Sequence, residues 1–424
     1  MKLGLTSVFA LAALGQVTFI QAQPRGQEHW VATWTTALQL TRAPAPAQST
    51  PPPAAAGAPT PQSINARGFD NQTVRMMVRT SLSGRRARVA LSNAFGSTPA
   101  QVSAAHIALR AKDSEIAPSS DRALLFDGKP GCTLGPGVVL YSDPVDLNVP
   151  QVGDLAISLY FSGATGPPTA HATGLHNTYV SDGDATSQPA MPNAVTTQSY
   201  YYLGAVEVLA PAGAAAIVAY GDSITDGARS TAETNHSWPA LLAARLAAKK
   251  ETARIGVANM GIGGNRVLRD GTGASALARF DRDVLSQAGV RWVMLLEGIN
   301  DIGREASVPA ETVTAAELIA GYKQIIERAH THGIAVVGCT LTPYEGANYQ
   351  RENGEAVREA VNQFIRTGGA FDAVVDFEAA TRDPASPKKL RAEFDPGDHL
   401  HPNDAGYQAM ADAVNLSIFT GKHR

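Results

Sequence analysis

Cysteine is nearly absent. Cys132 and Cys339 are the only two in a chain of 424 residues, which excludes a disulfide framework and a cysteine-ligated zinc site. The count allows one bridge between them. Cys339, however, lies inside an apolar, strand-like run, where a buried free thiol is the expected state. An excess of charge of one sign is missing too. There are 35 Lys plus Arg against 38 Asp plus Glu, a formal net charge of −3. With no basic stripe, nucleic acid is not an expected partner. After the first residues no apolar run reaches the roughly 18 residues that a spanning helix needs, so no stable membrane insertion is expected there. What is present is ordinary globular material, 44% hydrophobic and 17% charged, enough for a large core and two or three domains.

The opening stretch, MKLGLTSVFALAALGQVTFIQAQ, has Lys2 as a minimal positive end. An apolar run follows, and Ala22 is a small residue at a cleavage-like position. Gln16 and Thr18 interrupt the run, which is short for an anchor. Residues 1–22 are expected to be a signal peptide and the protein secreted or periplasmic. No cysteine stands near Ala22, so a lipid anchor is not expected.

The chain changes character near residue 211. Residues 23–210 are β-like. TVRMMVRTSLSGRRARVALS (73–92) shows two alternating strands around a Ser-Gly turn, and DLAISLYF (154–161) puts Leu155, Ile157, Leu159 and Phe161 on one face. A β-sandwich or jelly roll is expected there. Within it, 43–63 is rich in Pro and Ala, cannot build a core and is expected to be a surface loop. There are no internal repeats. In residues 211–424, apolar strand candidates at 215–220, 254–259, 290–296, 334–341 and 373–377 alternate with helical segments. One helix begins at Ser237-Trp238-Pro239. Another begins at Thr314, with Glu317 three residues on, and stops at Gly333. Five short apolar strands with crossover helices imply a doubly wound parallel sheet. Ligands of such sheets bind beyond the carboxyl ends of the strands.

Those ends collect the chemistry. The first strand runs into YGDSITDG (220–227), the second into NMGIGGN (259–265), the third into EGIND (297–301); after the fifth comes DPGDHLHPND (395–404). Serine is a poor nucleophile without an adjacent base, and a histidine oriented by a carboxylate supplies one. Ser223, Gly264, Asn300 and a histidine of 395–404 would meet at one sheet edge. The glycines leave backbone N–H groups unshielded, and Asn300 adds a side-chain donor for an oxyanion.

These blocks resemble the SGNH (GDSL-type) hydrolase superfamily: Gly221-Asp222-Ser223, Gly264, Gly298-Ile299-Asn300-Asp301 and Asp398-His399-Leu400-His401-Pro402, in family order. The resemblance implies a flavodoxin-like five-stranded sheet, Ser223 as nucleophile, His401 as base and Asp398 orienting it. It also implies an oxyanion hole from the N–H groups of Ser223 and Gly264 and the Asn300 side chain, with no metal and no cofactor. Ile224 departs from the leucine of the GDSL block. His399 stands where a small residue is common, and Gly263 offers a second alignment of the glycine block. Spacing supports the choice of base, because an Asp three residues before a His can fold back onto its ring. Asp398 and His401 have that spacing, whereas Pro396 stands three before His399. Asn403 would cap the next helix, with Tyr407, Met410 and Val414 as its apolar face.

Other readings fit less. An α/β-hydrolase elbow needs Gly where Thr225 stands. GIGGNR has Arg266 in place of the third glycine of a dinucleotide fingerprint. A metal site at Asp398, His399, His401 and Asp404 lacks an HExxH or cysteine partner. A non-enzymatic glycan-binding module would be favoured by loss of a triad residue, and none is lost. The expected function is a secreted serine ester hydrolase that removes acyl groups, acetyl among them, from carbohydrates. The runner-up is a broad lipolytic or aryl esterase resembling lysophospholipases and thioesterases. The expected partner is a small-molecule or polysaccharide ester.

Overall fold

A computed structural model of the chain describes residues 28–40 and 61–421. The signal-peptide stretch 1–22 lies outside the described residues. So does most of the Pro/Ala-rich stretch 43–63; its last three residues open a short helix, Pro61–Arg67.

The N-terminal half is antiparallel. Asp154–Phe161 is the centre of a seven-stranded sheet, in register with Gln72–Arg79 on one side and Ala100–Leu109 on the other. Its Leu155, Ile157, Leu159 and Phe161 are fully buried, as the alternation requires. A five-stranded sheet runs His29–Thr35, Leu203–Ala210, Gly84–Ser92, Val139–Tyr141, with Val145–Val149 also on Gly84–Ser92. The two sheets face each other across one core, Val74, Ile107 and Ile157 from one and Val31, Val89 and Val206 from the other. This is a β-sandwich. Each such side chain contributes about 1.5–3 kcal/mol by leaving water.

The two strands of 73–92 form but do not pair with each other. Gln72–Arg79 joins the larger sheet and Gly84–Ser92 the smaller one, so the Ser-Gly segment crosses between layers. The first strand also fails to alternate in burial. Its second face lies under a small separate core that includes Met77, Tyr179 and Met191. There the fully buried Arg75 guanidinium donates to Ser158 Oγ at 2.9 Å and the Ser114 carbonyl at 2.7 Å.

The C-terminal half is a parallel sheet of β1 (Ala215–Gly221), β2 (Ile255–Gly261), β3 (Val290–Leu296), β4 (Ala335–Cys339) and β5 (Ala373–Val375), in the order 2-1-3-4-5. That is the flavodoxin-like order, with its switch point at β1 and β3. β1 is buried along its whole length because helices cover both faces. The helix Ala315–Thr331 carries the expected capping box of Thr314 and Glu317, and Gly333 follows at φ +69°. Ser237 holds the N-cap position of Trp238–Ala247, but its hydroxyl makes no cap bond. Asn403 Oδ1 accepts from the N–H groups of Ala405 and Gly406, and Tyr407, Met410 and Val414 are buried beneath that helix, Asp404–Ala413. Cys132 and Cys339 are both free thiols, one in each half, and burial pushes the Cys132 thiol up to about 11.

The halves meet along β2, the edge strand. Ser81 Oγ accepts from Val257 N–H at 2.9 Å and lies 3.2 Å from its carbonyl oxygen. Thr35 Oγ1 donates to the Asn259 carbonyl at 3.1 Å. Ala214 and Ala216 belong to the sandwich core, while Ala32 and Ala37 belong to the α/β core. The sandwich therefore closes an edge that would otherwise offer unpaired backbone groups.

Candidate active site

β1 ends at Gly221, where any Cβ would sit 2.2 Å from the Leu296 carbonyl oxygen and 2.3 Å from Thr225 Oγ1. Only glycine lets the chain turn so tightly between β3 and the following helix. Asp222 then caps that helix, accepting from Ile224 N–H at 2.9 Å. Ser223 is the first residue of the single turn Ser223–Asp226. Its N–H is one of the helix-start donors with no intrahelical partner.

The loop 395–404 reaches this turn. Ser223 Oγ lies 2.8 Å from His401 Nε2, and His401 Nδ1 lies 2.9 Å from Asp398 Oδ2. Asp398 Oδ1 accepts from the backbone N–H groups of Leu400 and His401 at 3.1 and 3.0 Å. Burial works against its charge, but the two N–H groups and the His401 ring outweigh it and hold the carboxyl at about 2. Arg229, mostly exposed, also reaches Asp398 Oδ2 with Nε at 2.9 Å.

The loop's other titratable groups turn elsewhere. His399, at φ +59°, pairs through Nδ1 with Asp395 and is half exposed. Asp404 accepts from Thr231 N–H and pairs with His236. The four residues of the metal reading thus fall into three separate pairs, Asp398 with His401, His399 with Asp395 and Asp404 with His236. Among the described residues no group of three or more His, Cys, Asp or Glu is arranged to hold a metal ion.

Two further elements complete the rim. After β2, Asn265 N–H donates to the Ile262 carbonyl at 3.0 Å, closing a tight turn with Gly264 at φ +75°. A left-handed residue at that place in a turn is glycine for steric reasons. A Cβ on Gly263 would stand 3.9 Å from Ser223 Cβ, so this turn lies against the serine. After β3, Asn300 in the helix Ile299–Gly303 donates to the Asn265 carbonyl at 3.0 Å. An amide has two N–H donors, and this bond uses one. Ser223, Gly264, Asn300, His401 and Asp398 are thus brought to one edge. A cleft of about 300 Å³ opens beside Gly264 and Asn300, lined also by Arg266, Thr272, Arg304, Ser307 and Tyr349.

A buried charge network underlies these loops. Arg279, fully buried, donates to the Gly221 carbonyl at 2.9 Å, the Met260 carbonyl at 2.8 Å and Asn265 Oδ1 at 2.9 Å, and lies over the Tyr220 ring at 4.2 Å. One guanidinium therefore ties together the ends of β1 and β2 and the glycine turn. Asp301 accepts from the N–H groups of Val267 and Leu268 at 2.7 and 3.0 Å. Burial raises its carboxyl to about 6. Burial, with Asp301 nearby, raises Asp222 to about 7 against the Ile224 N–H that favours its charge. Glu297 is raised well above the carboxylate range, first by burial and then by Asp222, with Arg279 3.6 Å away opposing this. Arg279 lies outside every quoted block, because nothing in its spacing separates it from a surface charge. Asp222, Glu297 and Asp301 lie inside the quoted blocks, but nothing there assigns them a role.

Residues 219–409 match the family described as GDSL-like Lipase/Acylhydrolase. No curated protein matches the chain. Among solved structures the chain is similar to a variant of an acetyl xylan esterase from Geobacillus stearothermophilus, at 26% identity, covering 50% of this chain and 97% of that one with a TM-score of 0.38. A second is an alpha/beta hydrolase enzyme from the metagenome of Lake Arreo, Spain, at 24% identity, 48% and 95% coverage and a TM-score of 0.38. A third is another acetyl xylan esterase, at 23% identity, 47% and 96% coverage and a TM-score of 0.37.

Proposed function

We propose, from the match of residues 219–409 to the GDSL-like Lipase/Acylhydrolase family, that this chain is an exported serine ester hydrolase that removes short acyl groups, acetyl above all, from hydroxylated alcohols such as carbohydrates. The observation that carries the reading is the relay Ser223 Oγ, His401 Nε2, His401 Nδ1, Asp398 Oδ2, with contacts of 2.8 and 2.9 Å. His401 takes the Ser223 proton as Oγ attacks the ester carbonyl, and returns it to the leaving alkoxide. Asp398, ionised at any ordinary pH, stabilises the imidazolium formed between those steps. The N–H groups of Ser223 and Gly264 and the second amide N–H of Asn300 receive the oxyanion. Water then attacks the acyl-Ser223 ester by the same route in reverse, releasing the acid.

The cleft beside the oxyanion donors supports the substrate class. At about 300 Å³ and lined by Arg304, Ser307, Thr272 and Tyr349, it offers polar partners to an alcohol bearing hydroxyls. Export rests on the leader at 1–22, and N-terminal sequencing of the natural product should begin just after Ala22. An ester panel tests the rest. Acetylated xylan and p-nitrophenyl acetate are expected to turn over, with Ser223→Ala inactive on both. Preference for a lysophospholipid would overturn the carbohydrate reading in favour of a lipolytic one.

A further inference from the structure

The strand Thr169–His171 of the sandwich half ends on a histidine that is 3% exposed and points into the α/β half. His171 Nδ1 lies 3.0 Å from the Ala37 carbonyl oxygen. Its Nε2 lies 3.0 Å from Asp226 Oδ1 and 3.2 Å from the Thr173 carbonyl oxygen. Carbonyl and carboxylate oxygens only accept, so both ring nitrogens carry hydrogen and the ring is an imidazolium. Burial alone would oppose that charge; Asp226 and the two carbonyls outweigh it and raise the ring above the ordinary histidine range.

Asp226 is the last residue of the turn that Ser223 begins. Among the described residues His171 is its one ion-pair partner. The Asp226 backbone is pressed against the end of β2, where a Cβ on Gly261 would stand 2.3 Å from its nitrogen. Its Oδ2 lies 4.0 Å from the place a Cβ on Gly263 would take, in the turn that also faces Ser223. A second strut runs in parallel: Thr35 Oγ1 donates to the Asn259 carbonyl, and Asn259 Nδ2 donates to the Thr225 carbonyl at 3.0 Å.

We propose that the sandwich is a working part of the catalytic site, with His171 as a positioning residue whose Nε2–H bond fixes Asp226 and thereby the turn that aims Ser223 at His401. This rests on Ser223 being the nucleophile. The ring acts on one side through Nδ1, which holds the sandwich loop at Ala37, and on the other through Nε2, which holds the nucleophile turn. Two variants separate these roles. In His171→Asn the amide nitrogen takes the place of Nδ1 and loses Asp226; in His171→Gln it takes the place of Nε2 and keeps Asp226.

The test measures kcat and KM for p-nitrophenyl acetate and the rate of phosphonate labelling at Ser223, with thermal midpoints recorded. His171→Asn is expected to lower kcat and the labelling rate together by roughly tenfold to a hundredfold, with KM within about twofold, the scale of a misaimed reacting atom. His171→Gln should stay within about fivefold of the parent, since it keeps the bond to Asp226. Asp226→Ala, which removes the acceptor, should match His171→Asn, and the pair of substitutions together should lose no more than either alone. Parent-like kcat in both His171 variants, a Gln variant worse than the Asn variant, or additive losses would each overturn the proposal. If the parent itself is not labelled at Ser223, the esterase reading fails first, and that outcome is distinct from all of these.

Discussion

Two His–Asp pairs hold the turn of Ser223, one at its first residue and one at its last, and they do different things. His401 and Asp398 sit on the rim, 17% and 25% exposed; His171 and Asp226 lie beneath, 3% and 10% exposed. In both, one ring nitrogen faces a carboxylate. The other nitrogen decides the role. That of His401 faces the Ser223 hydroxyl, which can give a proton. That of His171 faces a carbonyl, which cannot. The first ring can therefore shuttle a proton, and the second is locked into its charge. Proximity to an aspartate does not make a histidine a base; the chemistry of its remaining neighbour does.

The comparison can be broken most sharply on the rim. Ser223→Ala and His401→Ala should each lower kcat by about 10⁵-fold or more, while His399→Ala, whose ring pairs with Asp395 away from the serine, should keep most activity. Equal damage from His399→Ala under ester assay would reassign the base. Asp398→Asn should cost about 10⁴-fold through loss of ring orientation and charge, less than His401→Ala. Asn300→Ala should lower kcat about 10²–10³-fold with KM little changed; a loss confined to KM would make it a substrate-binding residue instead. Chelation with EDTA should leave kcat unchanged if the loop works as half of a triad, and abolish it if the loop holds a metal. The smallest effect concerns the acids behind the turn. Asp222 keeps its proton to about 7 in the fold, whereas an unfolded aspartate releases it near about pH 4. The folded state then binds more protons across that window, so stability falls as pH rises through it. Asp222→Asn, which keeps an oxygen to cap Ile224, should flatten the decline in thermal midpoint between about pH 4 and about pH 7. An unchanged slope would show that another group carries it.

The parallel sheet was legible because each strand is a short apolar run that ends in glycine or polar residues, and the topology rules leave few ways to assemble five of them. The rim was legible for a local reason: Asp398 and His401 lie within one ten-residue loop, so their spacing carries geometric information. The sandwich was legible only in part. Period two shows which side of Asp154–Phe161 faces a core, but it does not name a strand's neighbour, and the strands flanking the Ser-Gly segment went to different sheets. Arg279 and His171 were illegible for a further reason. Arg279 reaches Gly221, 58 residues away in sequence, and His171 reaches Asp226, 55 away, and only the folded chain brings a lone arginine or histidine to a strand end.

The contact between Ser81 and Val257 has a consequence for anyone who would cut this protein in two. A fragment beginning after residue 210 would keep the relay and the oxyanion donors, yet leave the backbone of Ile255–Gly261 bare along its outer edge. It would also uncover Ala214 and Ala216. Such an edge is a template for a strand from another molecule. The fragment should self-associate through it, and a lysine or proline introduced along that edge should be the first remedy for its solubility.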